Sequence, residues 1–247
     1  IPGALLYDVL YAKNSTTCAS FVFSNTQNPY FDVILRGKGT TQIEQALSLA
    51  PTFITIWIGN NDVLGYATSG GTSPATPTDP TTQFGPLFGG IAQGLAQFKT
   101  QASANFGVAI GNIPNVAAIP FFTTVGPALA TNPALIWWQI AASQIASGLP
   151  ATGLIFGSHE GGTNLGQLPY KIGFADSSAL RNGTKLITLK GQSYAPLLGQ
   201  QTGKFYRDNN ISVPLGVDTT KPFGFHPQNP FPDPFVLDQD EITTANN

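Results

Sequence analysis

The tetrapeptide Gly59-Asn60-Asn61-Asp62 follows a six-residue apolar run, Phe53 to Ile58, and leads into VLGYATSGG. A side-chain amide held at the tip of a strand can donate a hydrogen bond to a developing oxyanion, an effect of about 3–4 kcal/mol. The bland alternative is a turn cap, because Asn and Asp bond their own backbone and tolerate left-handed conformations. Nucleophilic hydrolysis also needs a Ser or Cys, a base and an orienting acid. Only His159 and His226 could be the base. His159 directly follows Ser158, and sequence neighbours rarely point at each other; His226 lies in the proline-rich FGFHPQNPFPDPF. The chain has no Gly-x-Ser-x-Gly elbow, the strained turn that exposes such a nucleophile. Two separated histidines and a single cysteine make no transition-metal pattern, since such sites need three or four clustered ligands. No Asp-x-Asp-x-Asp calcium loop and no glycine-rich phosphate motif after a strand occur either, so neither metal nor cofactor is expected.

Composition narrows the partners. Charged residues make up 10% of the 247 positions, well under the usual share of about 25%. The surface must therefore be built from Thr, Ser, Asn, Gln and Gly. A net charge of -2 leaves no basic stripe, so nucleic acid is not an expected partner. No apolar run approaches the roughly 18 residues that a membrane-spanning helix requires. Cys18 has no partner for an internal disulfide and reads as a small buried hydrophobe. Low charge with abundant Asn and Thr suits a secreted or cell-surface protein.

The elements that must hold the tetrapeptide read as alternating helices and strands. ALLYDVLYA (4–12) and NPYFDVILR (28–36) are expected helices, with polar loop over 13–27. Thr41 and Glu44 form a capping box before apolar residues at helical spacing, and Pro51 ends that helix. Phe53 to Ile58 is expected to be a strand buried on both faces, as in a parallel sheet. Residues 68–82 are a long Gly/Pro/Ser/Thr loop, expected to act as a lid or binding loop. Residues 83–101 and 133–147 read as helices, and Phe106 to Ile110 as the next strand, ending in Gly111-Asn112-Ile113-Pro114. Helix, strand, loop, helix, strand is the repeat of an α/β protein. Ligands sit at the carboxyl ends of such strands, where Asn60, Asn61 and Asp62 would lie. Residues 150–225 alternate short apolar pieces with Gly-rich turns. Asp238 and Glu241 cap a further helix that has barely one turn before Asn247, so the native chain is expected to continue.

The tetrapeptide also resembles the Gly-x-Asn-Asp block of the SGNH (GDSL-type) hydrolases. The likeness extends through IPGA (1–4), NPYF (28–31), FITIWIGNNDVLGYATSGG (53–71), NIPNVAAIPFFTTV (112–125) and FPDPFVLDQDEI (231–242). Together they are similar to the large SGNH-hydrolase lipoproteins of Bacteroidetes, in the same order along the chain. The resemblance implies a three-layer α/β/α sandwich with a central parallel sheet, flavodoxin-like and incomplete at both ends. It implies core over 1–149, an insertion or small subdomain over 150–230, and a return to the core over 231–247. Asn61 would be the side-chain donor of the oxyanion hole and Gly3 its backbone N–H donor. Gly59 would allow the tight turn, Asn60 would flank the donor, and Asp62 would brace the loop rather than serve as triad acid.

The family's nucleophilic Ser block and its Asp-x-x-His block are both missing from these 247 residues. His226-Pro227 sits upstream of FPDPF and has Phe223 three residues before it, where the family pattern has Asp. The resemblance thus implies the middle portion of a bacterial surface esterase whose Ser and His lie outside this sequence. Its substrate would be an acyl or acetyl ester of a lipid or carbohydrate, with the 68–82 loop and the insertion shaping the acyl pocket. It also implies an outer-membrane location, attachment through an N-terminal lipid anchor outside this sequence, and partner subunits. The rival expectation is an inactive surface scaffold or complex subunit on the same fold, favoured by 17 Phe, 7 Tyr and 3 Trp.

Overall fold

The computed structural model describes residues 1–71, 83–102, 106–131, 153–158 and 170–246. The helix expected over 133–147, His159 and most of the 68–82 loop lie outside the described residues. The protein is mixed α/β and divides into two compact units. The first comprises residues 1–66, 83–102 and 106–114; the second comprises 67–71, 115–131, 153–158 and 170–246. The break thus falls after Pro114 rather than at 149/150, and 231–246 belongs with the segment expected to be an insertion.

In the first unit α1 (Leu6–Tyr11), α2 (Ala19–Ser24), α3 (Tyr30–Leu35) and α4 (Gln42–Leu47) precede β1 (Phe53–Ile56). The Thr41 capping box forms: Thr41 Oγ1 accepts from Glu44 N, and Glu44 Oε2 accepts from Thr41 N at 2.8 Å. The polar loop expected over 13–27 is partly helical, because α2 occupies its second half. After β1 come α5 (Asn60–Thr68), α6 (Gly85–Ala102) and β2 (Gly107–Ile110). β1 and β2 pair in parallel, Phe53 opposite Gly107 and Ile56 opposite Ile110. Leu6, Ile91, Leu95 and Phe106 form the core on one side of this pair, with Ile54 and Ile56 packed against them.

The expectation that β1 is buried on both faces is corrected. Phe53 is 58% and Trp57 69% exposed, and both lie on the face away from that core. The rings rest on glycines in and just after β2: a Cβ on Gly107 would come within 2.8 Å of Phe53, and one on Gly111 within 3.1 Å of Trp57. The physical reason is that, among the described residues, β1 pairs only with β2 and no strand or helix covers its second face.

The second unit is built on aromatic packing. α7 (Pro120–Ala130), β3 (Leu154–Ser158), β4 (Lys171–Ala175), α8 (Ser177–Asn182) and β5 (Leu186–Ile187) come first. They are followed by α9 (Leu189–Tyr194), α10 (Lys204–Asp208), β6 (Val236–Leu237) and α11 (Gln239–Asn246). β3 pairs with β4, and β5 with β6, both antiparallel. Phe156, Phe223, Phe225, Phe231 and Phe235 are at most 2% exposed and share one core. Their rings meet edge to face, as at Phe231–Phe235 with centroids 4.9 Å apart, the arrangement that aromatic quadrupoles prefer. No described helix is long and apolar enough to cross a membrane.

Candidate active site

The first unit gathers the sequence-predicted residues around one turn. Ala4 N–H donates to Ile1 O at 3.1 Å. Pro2 takes the second position of this turn, and Gly3, at φ +71°, the third. That is type II geometry, which demands a residue tolerant of positive φ at the third position. Asn28 fixes the turn from outside: its Nδ2 donates to Pro2 O at 2.9 Å, while its Oδ1 accepts from Tyr30 N at 3.2 Å. Within NPYF nothing marks Asn28 for this contact; its role is visible only once α3 is placed beside the turn.

The second component is the start of α5. The tetrapeptide expected as a polar turn is instead the first turn of a helix that runs from Asn60 to Thr68. Gly59 makes the reversal from strand to helix at φ +99°. A Cβ there would lie 2.9 Å from both Ile113 Cδ1 and the Phe84 ring. Backbone conformation and space therefore both require glycine. Gly59→Ala is expected to cost about 1–3 kcal/mol, the usual size of such strain. Thermal unfolding would show it as a drop of roughly 2–12 °C, taking about 2–4 °C per kcal/mol for a domain of this size. An unchanged midpoint would contradict the assigned turn.

From this helix start Asn61 reaches the turn. Its side chain is exposed, and Nδ2 donates to Ala4 O at 2.9 Å. A carbonyl oxygen can only accept, so the amide must present its NH2 group there. That group has two hydrogens; Ala4 takes one and fixes the orientation, leaving the other to donate. The anchoring carbonyl belongs to the residue next to Gly3, so the two expected donors, Asn61 Nδ2–H and Gly3 N–H, stand on neighbouring parts of one turn. They also sit by the first turn of α5, where unbonded N–H groups and the helix dipole favour negative charge.

Asp62 is fully buried, and both its carboxylate oxygens take the Leu6 N–H, at 3.1 and 3.3 Å. Its carboxylate thus meets the start of α1, just after the Gly3 turn. Burial, the largest influence, pushes its carboxyl up to about 7; the Leu6 N–H opposes this and the charge of Asp8 adds to it. Asn60 Oδ1 is buried and has no hydrogen-bond partner among the described residues.

A cavity of about 390 Å³ adjoins the turn, within the size range of small-molecule sites. Ile1, Val9, Ile43, Ile54, Ile56 and Ile58 line it together with the polar Gln42, Thr55, Asn60 and Asn61. Among the described residues, its lining holds no Ser, Cys, His or carboxylate. Among the described residues, no group of His, Cys, Asp and Glu could hold a metal ion.

The remaining hydrolytic candidates have structural work elsewhere. Ser158 is 1% exposed and its Oγ donates to Asp238 Oδ2 at 2.9 Å. Asp238 in turn caps α11, accepting from Glu241 N at 3.2 Å while its own N–H donates to Glu241 Oε2 at 2.7 Å. His226 Nδ1 accepts from Gln228 N at 3.1 Å, and burial pushes the imidazole pKa down. Cys18 is buried, its thiol against Ser15 O. No protein-family model, curated protein or solved structure matches the chain.

Proposed function

We propose that this chain carries the oxyanion-binding portion of an SGNH-type serine esterase. The observation that carries the reading is the Asn61 Nδ2 to Ala4 O bond. It locks a side-chain amide beside the Gly3 turn, with one N–H left to donate. In the proposed reaction a Ser from outside residues 1–247 attacks an acyl or acetyl ester of a lipid or carbohydrate. Gly3 N–H and Asn61 Nδ2–H then hold the oxyanion of the tetrahedral intermediate, the usual largest single source of acceleration. A His–Asp pair, also outside this sequence, moves the proton from Ser to the leaving alcohol, so that a covalent acyl-enzyme forms and is released by water. The isoleucine-lined part of the cavity takes the acyl group.

The proposed fold is the three-layer sandwich with a longer parallel sheet. The open edge of β1 and the exposed Phe53 and Trp57 support it, because parallel strands are ordinarily covered on both faces. A location at the cell surface or outside it belongs to the same proposal.

The experiment is labelling of the full-length native protein with a fluorophosphonate, followed by peptide mapping. The reading predicts one labelled Ser outside residues 1–247. Absence of labelling, or a label on Ser158, would overturn it.

A further inference from the structure

Asn182-Gly183 is the only Asn-Gly pair in the 247 residues. Asn182 is exposed and ends α8, and Gly183 follows it at φ +75°. The asparagine side chain is folded forward over the Gly183 peptide. Its Oδ1 accepts from Thr184 N at 3.1 Å and from Thr184 Oγ1 at 3.0 Å. The hydroxyl has one proton to give, and Ala179 O is its more distant acceptor, at 3.4 Å. Two donors on one carbonyl oxygen draw electrons from Cγ and open that carbon to a nucleophile. The nearest nucleophile is the backbone nitrogen of Gly183. Its N–H has no acceptor among the described residues, and glycine sets no Cβ beside it.

Asn14 supplies the comparison. Its Oδ1 lies in the same kind of cradle, with Thr16 N at 3.0 Å, Thr16 Oγ1 at 2.9 Å and Thr17 Oγ1 at 3.1 Å. The next residue there is the buried Ser15, whose N–H donates to Asp32 Oδ1 at 2.8 Å. The electrophile is alike at both sites, but at Asn14 the attacking nitrogen is tied down and crowded by a Cβ.

We propose that Asn182 is a self-modification site, at which the chain deamidates through a cyclic imide. Gly183 N bonds to Asn182 Cγ and gives its proton to water. Thr184 N–H and Oγ1–H hold the oxygen on which negative charge develops, as donors do in any oxyanion hole. The Cγ–Nδ2 bond then breaks, and Nδ2 takes a proton from water and leaves as ammonia. Water opens the imide at either carbonyl, which yields aspartate or isoaspartate with no other reactant.

The carboxylate so formed stands at the C-terminal end of α8, where the helix dipole disfavours negative charge. Isoaspartate also lengthens the main chain by one carbon, inside the turn that the Lys185 N–H closes on Ala179 O at 3.3 Å. The reaction therefore acts on the end of a helix whose Leu180 lies in the aromatic core. None of this rests on the esterase reading.

The test is peptide mapping by mass spectrometry of the full-length protein, held folded at mildly alkaline pH and sampled over weeks. The Asn182 peptide should gain the amide-to-acid mass difference and resolve into aspartate and isoaspartate forms. The Asn14 peptide should stay unchanged over the same time. Thr184→Val keeps the N–H and removes the hydroxyl donor. It should slow the gain at Asn182 by about 2–10-fold, the rate equivalent of one ordinary hydrogen bond. No gain at Asn182, equal gains at Asn182 and Asn14, aspartate as the single product, or an unchanged rate in Thr184→Val would overturn the proposal. The native protein decides the first three of these even if the variant does not fold.

Discussion

Replacing Asn61 by Ala in the full-length protein should lower turnover of a nitrophenyl ester by about 10²–10³-fold, the cost of losing one oxyanion donor. The loss should fall on kcat with KM little changed, because the donor acts on charge present only in the transition state. Asn61 is exposed, and its side-chain bond is to Ala4 O. Ala4 is 1% exposed, so the variant leaves a buried carbonyl without that donor, at a cost of about 1–3 kcal/mol. Thermal unfolding of the variant separates this stability loss from the loss of turnover. Asn61→Asp is the harsher companion: it would set a carboxylate oxygen against Ala4 O and put negative charge where the oxyanion forms. Unchanged turnover in Asn61→Ala would remove Asn61 from the mechanism.

The second large effect lies in the aromatic core. Phe231 is fully buried, with ring contacts to Phe223 at 5.5 Å and Phe235 at 4.9 Å. Its backbone extends the sheet: Phe231 N–H donates to Ile155 O at 2.8 Å, and its carbonyl accepts from Gly157 N at 2.9 Å. Phe231→Ala keeps those bonds and deletes the ring, so the loss is a cavity plus lost transfer energy. About 3–5 kcal/mol is expected. At about 2–4 °C per kcal/mol the unfolding midpoint drops by roughly 6–20 °C. This also bears on the scaffold alternative, which drew on the aromatic content. If Phe231 served a partner surface, its loss would leave the midpoint unchanged.

The sequence was most readable where local chemistry decides the structure. Thr41 and Glu44 form a capping box because cap and partner lie three residues apart on the same strand of chain. Asp238 and Glu241 do the same for α11. β1 and β2 were visible as apolar runs, and their parallel pairing follows from the helix between them.

What stayed hidden is tertiary. α2 has no side-chain cap of its own at Cys18; Asp8, eleven residues before Ala19, caps it through the Ala19 N–H. No local pattern in the polar 13–27 stretch carries that signal. The exposure of one face of β1 is hidden for a similar reason, since apolar content reports what a strand can bury and not which neighbours are there to cover it. At the site, resemblance singled out Gly3, Gly59, Asn61 and Asp62, and the structure groups them around one turn. Asn28 and Asp8 had no motif to mark them, because each acts on backbone that is distant in sequence or belongs to another helix.

The central claim is that Asn61 Nδ2–H and Gly3 N–H bind one oxyanion. The most direct measurement is proton–nitrogen NMR on full-length protein labelled at Asn and Gly, before and after reaction with a fluorophosphonate. In the adduct the phosphonyl oxygen occupies the position of the oxyanion. The account predicts downfield shifts of one Asn61 side-chain proton and of the Gly3 amide proton, as both form new hydrogen bonds to it. An adduct that forms while both resonances stay in place would contradict the account.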